Sequence, residues 1–93
     1  VATQHNLYTV GSTAIEIMNT HTGSGRDITL QNVNSSGYIY IGNKDVTTTN
    51  YGYRLMPNHA ISFELESDDE IWVVGSTSNL KLAFISINLE NNG

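Results

Sequence analysis

The chain has 93 residues, a net charge of −5, no cysteine and only four basic residues, Arg26, Lys44, Arg54 and Lys81. These features exclude disulfide and thiolate-metal chemistry for this stretch and leave no basic patch able to neutralise a nucleic-acid backbone. One domain spanning residues 1–93 is expected, because a chain of this size buries roughly 60–65% of its unfolded surface, and its 14% of charged residues, against about 25% in ordinary soluble domains, implies a neutral polar surface that is easily desolvated against a partner.

The opening residues, Val1-Ala2-Thr3-Gln4-His5, lack the basic start and apolar core of a secretion signal, and no apolar run nears the roughly 20 residues of a membrane span. A product made in the cytoplasm that ends in a soluble assembly fits both facts. Leu7 to Val10 reads as the first strand. The Gly11-Ser12 pair that follows has the composition of a two-residue type II′ hairpin into Thr13-Ala14-Ile15, since glycine accepts the positive φ of the first turn position. Ile15 and Ile17 then alternate with Glu16, and Ile28 and Leu30 with Thr29 and Gln31, the period of half-buried antiparallel strands. Asn19 to Gly25 between them is a polar loop, and Asn34-Ser35-Ser36-Gly37 is a turn by the same composition rule.

Tyr38 to Ile41 is the next strand, with tyrosine on one face and isoleucine on the other, and a polar loop around Asp45 to Asn50 follows it. Arg54 to Met56 reads as a short strand ended by Pro57, which has no amide proton to give a ladder. Ile61, Phe63 and Leu65 alternate with Ser62, Glu64 and Glu66; Ile71 to Val74 and Leu80 to Leu89 are the last two strands, separated by the turn Gly75 to Asn79. Glu90 to Gly93 reads as a frayed C-terminal tail. About eight short strands and no helical period imply an all-β fold, a small antiparallel β-sandwich of jelly-roll-like form, with a small barrel as the alternative.

Two strands want burial on both faces. The first is Tyr38 to Ile41; the second carries Leu80, Leu82 and Phe84 on one side and Ala83, Ile85, Ile87 and Leu89 on the other. A sandwich of one chain covers a single face of each strand, so either a neighbouring subunit covers the second face or a β-bulge switches the inward face of the last strand midway.

Sites for chemistry are sparse. Asn43-x-Asp45-x-Thr47 opens like a calcium loop, but Thr48 and Arg54 stand where that loop needs a glycine and a bidentate glutamate. Asp45 is better read as a loop cap of the Asx-turn kind, with Thr47 to Thr49 continuing the cap or forming an edge strand. Glu64, Glu66, Asp68, Asp69 and Glu70 gather five of the nine acids, read as a solvated strand face and turn that gives an anionic rim. His5, His21 and His59 have no metal spacing, no serine sits in a nucleophile motif, and neither a cofactor nor an enzymatic activity is expected. Aromatic residues with polar tips serve as core, as interface anchors or as stacking platforms for sugars; Tyr53 and Trp72 are expected to be partly core, and Tyr40 and Tyr51 to face a partner. The candidate interface residues are Tyr38, Tyr40, Asp45, Tyr51, Ile85 and Ile87.

Ile39, Ile41, Gly42, Asp45, Val46, Thr47, Gly52, Tyr53, Leu55 and Pro57 form a strand followed by Gly-x-x-Asp-Val-Thr and Gly-Tyr-x-Leu-x-Pro. This central third resembles small virion structural proteins of tailed bacteriophages, including capsid decoration or cement proteins. The resemblance implies a virion location after synthesis in the host cytoplasm, major capsid protein or other virion subunits as partners, and a homo-oligomer, a trimer by preference. No metal, cofactor, membrane or direct nucleic-acid contact is expected from the charge, hydropathy and motif spacing already described. A carbohydrate- or receptor-binding module of the tail-fibre knob type and a head-completion or tail component are the alternatives.

Overall fold

The computed structural model describes residues 3–19, 26–65 and 70–88. Within them lie eight strands: β1 (Thr3–Val10), β2 (Ile15–Asn19), β3 (Arg26–Asn32), β4 (Ile39–Gly42), β5 (Tyr53–Leu55), β6 (Ala60–Leu65), β7 (Glu70–Gly75) and β8 (Leu80–Asn88). They form two four-stranded antiparallel sheets, in the orders β1-β8-β3-β6 and β2-β7-β4-β5. The first strand thus pairs with the last, the second with the seventh, the third with the sixth and the fourth with the fifth. Such nesting results when one long antiparallel ribbon is folded over on itself, and it is the strand order of an eight-stranded jelly roll. The two sheets are separate, so the barrel alternative is excluded.

Period-two alternation decides what lies between the sheets. Val10, Ile28, Leu30, Leu65, Leu80, Leu82 and Phe84 from the first sheet meet Ile17, Ile39, Ile41, Leu55 and Val73 from the second. Tyr8 lies beside this core: its ring meets Phe84 edge-on at a centroid distance of 5.9 Å, and its hydroxyl donates to the Ile17 carbonyl. Such a pair gives a ring its preferred electrostatic geometry and its polar tip an acceptor.

The Gly11-Ser12 expectation is corrected. β1 and β2 belong to different sheets, so residues 11–14 form an arch between layers and not a hairpin. Gly11 is not in the positive-φ region; instead its carbonyl accepts the Gly75 amide at 2.7 Å. The 34–37 turn crosses layers as well, and there Gly37 does adopt a φ of 96°. A side chain at Gly37 would also place its Cβ 2.7 Å from Leu80 Cδ2, so both the backbone and the space call for glycine. Past Pro57, Asn58 takes a φ of 63° and donates its amide to the Asn32 carbonyl at 2.8 Å.

β8 pairs without interruption with β1 over residues 80–87 and with β3 over residues 82–88. The proposed bulge in this strand is therefore absent. An irregularity occurs instead in β2, between Glu16 and Met18, where Ile17 has no partner on β7. Of the regions anticipated from sequence, residues 20–25 of the polar loop, the acidic residues Glu66, Asp68 and Asp69, His21, Leu89 and the 90–93 tail lie outside the described residues.

Candidate functional site

The six candidate residues fall on two opposite faces of the sandwich. Ile85 and Ile87 project from the outer face of the first sheet, while Tyr38, Tyr40, Asp45 and Tyr51 belong to the outer side of the second sheet.

On the first face, strand register builds three rows. Leu7 stands across from Ala83, which faces Gln31 and then Ala60; His5 faces Ile85, Thr29 and Ser62; Thr3 faces Ile87, Asp27 and Glu64. Because Leu80, Leu82 and Phe84 point inward, an unbroken β8 must send Ala83, Ile85 and Ile87 outward. Leu7, Ile85 and Ile87 are 56%, 43% and 48% exposed. Small Ala83 leaves a shallow depression beside Ile85, lined also by Thr29 and Gln31. Neutral polar groups flank the stripe, including the Thr29 and Ser62 hydroxyls, hydrogen-bonded to each other at 2.8 Å. Charges stand at its ends: Asp27 and Glu64 are directly opposite each other at one, and Lys81 at the other donates from Nζ to Thr9 Oγ1 at 2.8 Å. Contiguous apolar side chains with a neutral rim are the composition of an interface core.

The second face is largely covered by the chain itself. Residues 43–52 fold back over β4, so Val46 packs with Tyr40 and Val74, and Ala14, Tyr38 and Trp72 close around them. Tyr40 is only 8% exposed, which corrects its assignment to a partner surface: the cover expected from a neighbour comes from the chain's own loop. Tyr51 packs on it, with ring centroids 4.6 Å apart, but stays 42% exposed. Tyr38 meets Tyr40 edge-on and lies under the Arg54 guanidinium, 5.1 Å from its centroid, a cation–π arrangement. Tyr53 is 42% exposed and lies outside both apolar clusters, against the expectation of a partly core residue. Trp72 is half-buried in the second cluster, and its indole N–H donates to Glu70 Oε1 at 3.2 Å.

The loop cap is Asn43, not Asp45. Asn43 Oδ1 accepts the Asp45 amide at 2.8 Å, and the Asn43 carbonyl accepts the Val46 amide at 2.9 Å; Asp45 is exposed. Thr47 forms the second cap, its Oγ1 accepting the Thr49 and Asn50 amides at 3.2 and 2.9 Å. Residues 47–49 are thus a capped turn, and the edge-strand alternative is excluded. Under this loop lies a depression of about 260 Å³, lined by Gly42, Asn43, Val46, Asn50, Tyr51 and Gly52. Among the described residues no three His, Asp or Glu side chains gather as a metal site, and no helix is long and apolar enough to cross a membrane.

The sequence placed Ala83 on the same outward face as Ile85 and Ile87 but gave no sign that Leu7 joins them across the β1–β8 pairing. Leu7 was legible only once β1 was known to pair with β8. No family model and no curated protein matches the chain. Its fold is that of a small jelly-roll sandwich, similar to a chain in the solved structure of Bacillus endospore appendages, which form a family of disulfide-linked pili. The TM-score is 0.62 and the identity 14%, with 95% of this chain and 86% of that one covered. At this identity the likeness is one of fold, and with no cysteine among these 93 residues they can form no disulfide link.

Proposed function

We propose that this chain is a non-enzymatic structural protein of a phage virion, a capsid decoration or cement protein that holds neighbouring subunits together through repeated non-covalent contacts. The observation that carries the reading is the outward stripe of exposed Leu7, Ile85 and Ile87 with half-buried Ala83 between them, which an unbroken β8 turns away from the chain's own core. The resemblance of residues 39–57 to phage virion proteins supports the virion, and the pilus chain of similar fold supports a subunit of a many-copy assembly.

The mechanism is mechanical. Each copy buries the stripe against a neighbouring virion subunit, and a standard-sized contact of about 800 Å² per partner is enough for specific binding. A symmetric oligomer, a trimer in the first instance, engages several such contacts at once, so individually weak contacts become collectively long-lived. The acidic end of the stripe at Asp27 and Glu64 and the basic end at Lys81 fix one orientation for a neighbour of opposite charge layout. Quantitative mass spectrometry of purified particles tests the reading. Copies in the tens to hundreds per particle are expected; a handful points to a head-completion or tail component, and absence from the particle overturns the proposal.

A further inference from the structure

The depression under the 43–52 loop is a concavity with no part in the proposed assembly contact. Its wall combines three kinds of group. Gly42 and Gly52 supply bare backbone, and neither can be enlarged freely: a Cβ on Gly42 would lie 3.0 Å from Val46 Cγ2, and one on Gly52 would lie 3.3 Å from the Ile41 carbonyl oxygen. Asn43 and Asn50 supply amide side chains, groups that both donate and accept. Tyr51 supplies an aromatic ring, steadied from within by Tyr40 and 42% exposed. Among the described residues no charged side chain lines the depression.

That combination selects a ligand by chemistry. Without a lining cation a phosphate or carboxylate gains no charge-assisted pairing, and without a lining carboxylate a hard cation lacks its usual anionic ligands. A neutral molecule with one apolar face and a rim of hydroxyls matches instead: its C–H face lies on an aromatic ring while its hydroxyls exchange donor and acceptor roles with amides and backbone. We infer that this depression binds a single neutral hexopyranose unit of a glycan, with Tyr51 as its stacking floor and Asn43 and Asn50 as its polar contacts. The loop is held by its own hydrogen bonds, Thr47 N to Asn50 O at 2.8 Å and Gly52 N to Ile41 O at 2.8 Å, so the site is formed before the sugar arrives. Pre-organisation of this kind offsets part of the ordering cost of binding. The site lies on the sheet opposite the exposed stripe, so it stays open when the stripe is covered.

The test is a titration of the whole chain, followed by two-dimensional ¹H–¹⁵N NMR, with the methyl glycosides of glucose, galactose, mannose and N-acetylglucosamine, and with inorganic phosphate. At least one glycoside is expected to give saturable shifts confined to the amides of residues 42–52, with a dissociation constant on the order of millimolar, in keeping with a small exposed site. Tyr51→Ala should weaken binding at least tenfold and Tyr51→Phe less than about threefold, because the ring and not the hydroxyl carries the stacking. Asn50→Ala, whose loop bonds are made by backbone, should weaken it severalfold with the rest of the spectrum unchanged, which separates lost binding from a lost fold. Ile87→Ser, on the far face, should leave it unchanged. No saturable shift with any glycoside, phosphate binding at these residues, or wild-type affinity in both Tyr51→Ala and Asn50→Ala overturns the inference. None of these results bears on the virion reading, which is decided by particle composition.

Discussion

Asn32 is the residue on which the turns converge. It is fully buried, and its Nδ2 donates to the Gly37 carbonyl at 3.1 Å and the Leu55 carbonyl at 2.9 Å. Its Oδ1 accepts from Asn34 Nδ2 at 2.6 Å, while its backbone bonds the 58–59 turn on both sides. One amide thus ties the end of β3 to β5, in the other sheet. Replacing it by leucine strands the buried Leu55 carbonyl and the part-buried Gly37 carbonyl, a buried orphan costing about 1–3 kcal/mol and a part-buried one less, so Asn32→Leu should cost about 3 kcal/mol in urea-unfolding stability. A loss under 1 kcal/mol would contradict the tie. Ser86 is the opposite case: it is fully buried, and its hydroxyl has no hydrogen-bond partner among the described residues. Ser86→Ala removes an unsatisfied polar group and should raise stability by about 1 kcal/mol, read as a higher midpoint at unchanged slope.

At the scale of elements, the 43–52 loop and β8 answer the same question differently. Both β4 and β8 have two apolar faces; the loop covers the second face of β4, and nothing among the described residues covers that of β8. Val46 and Tyr51 are the contacts through which the loop holds Tyr40. Val46→Ala removes two methyl groups at roughly 0.8 kcal/mol each and should cost about 2 kcal/mol, with the 43–52 amides exchanging faster in hydrogen-exchange measurements. Ile85→Lys with Ile87→Lys should act in the other way. Both sites are about half exposed, so stability should change by about 1 kcal/mol or less, while self-association or particle binding, followed by sedimentation velocity, falls at least tenfold. Strands were legible from sequence because alternation is a local property, and all eight appear within a few residues of their expected places. Their pairing was not. Gly11-Ser12 has the composition of a tight turn, yet composition carries no information on whether the flanking strands stay in one sheet. Likewise Tyr40 presents the same pattern whether a neighbour or its own loop covers it, and only Val46 folding back decides the matter. At the loop cap, Asn43 and Asp45 are both good Asx residues, and the geometry chose the first.

At the scale of the molecule, the jelly roll pairs the first strand with the last, so most of its stabilising pairings close long loops. Refolding should accordingly take milliseconds to seconds, which stopped-flow fluorescence of the single, half-buried Trp72 can follow; a microsecond phase carrying the full amplitude would contradict this topology. The fold presents two open surfaces on opposite sheets, an exposed apolar stripe and a depression with an uncharged lining. Cryo-electron microscopy of the purified particle, at a resolution that shows side chains, tests the central claim most directly. The account predicts that Leu7, Ala83, Ile85 and Ile87 are buried against a neighbouring subunit, with Asp27, Glu64 and Lys81 at the edges of the contact. Particles in which this chain is present but that stripe faces solvent would contradict it.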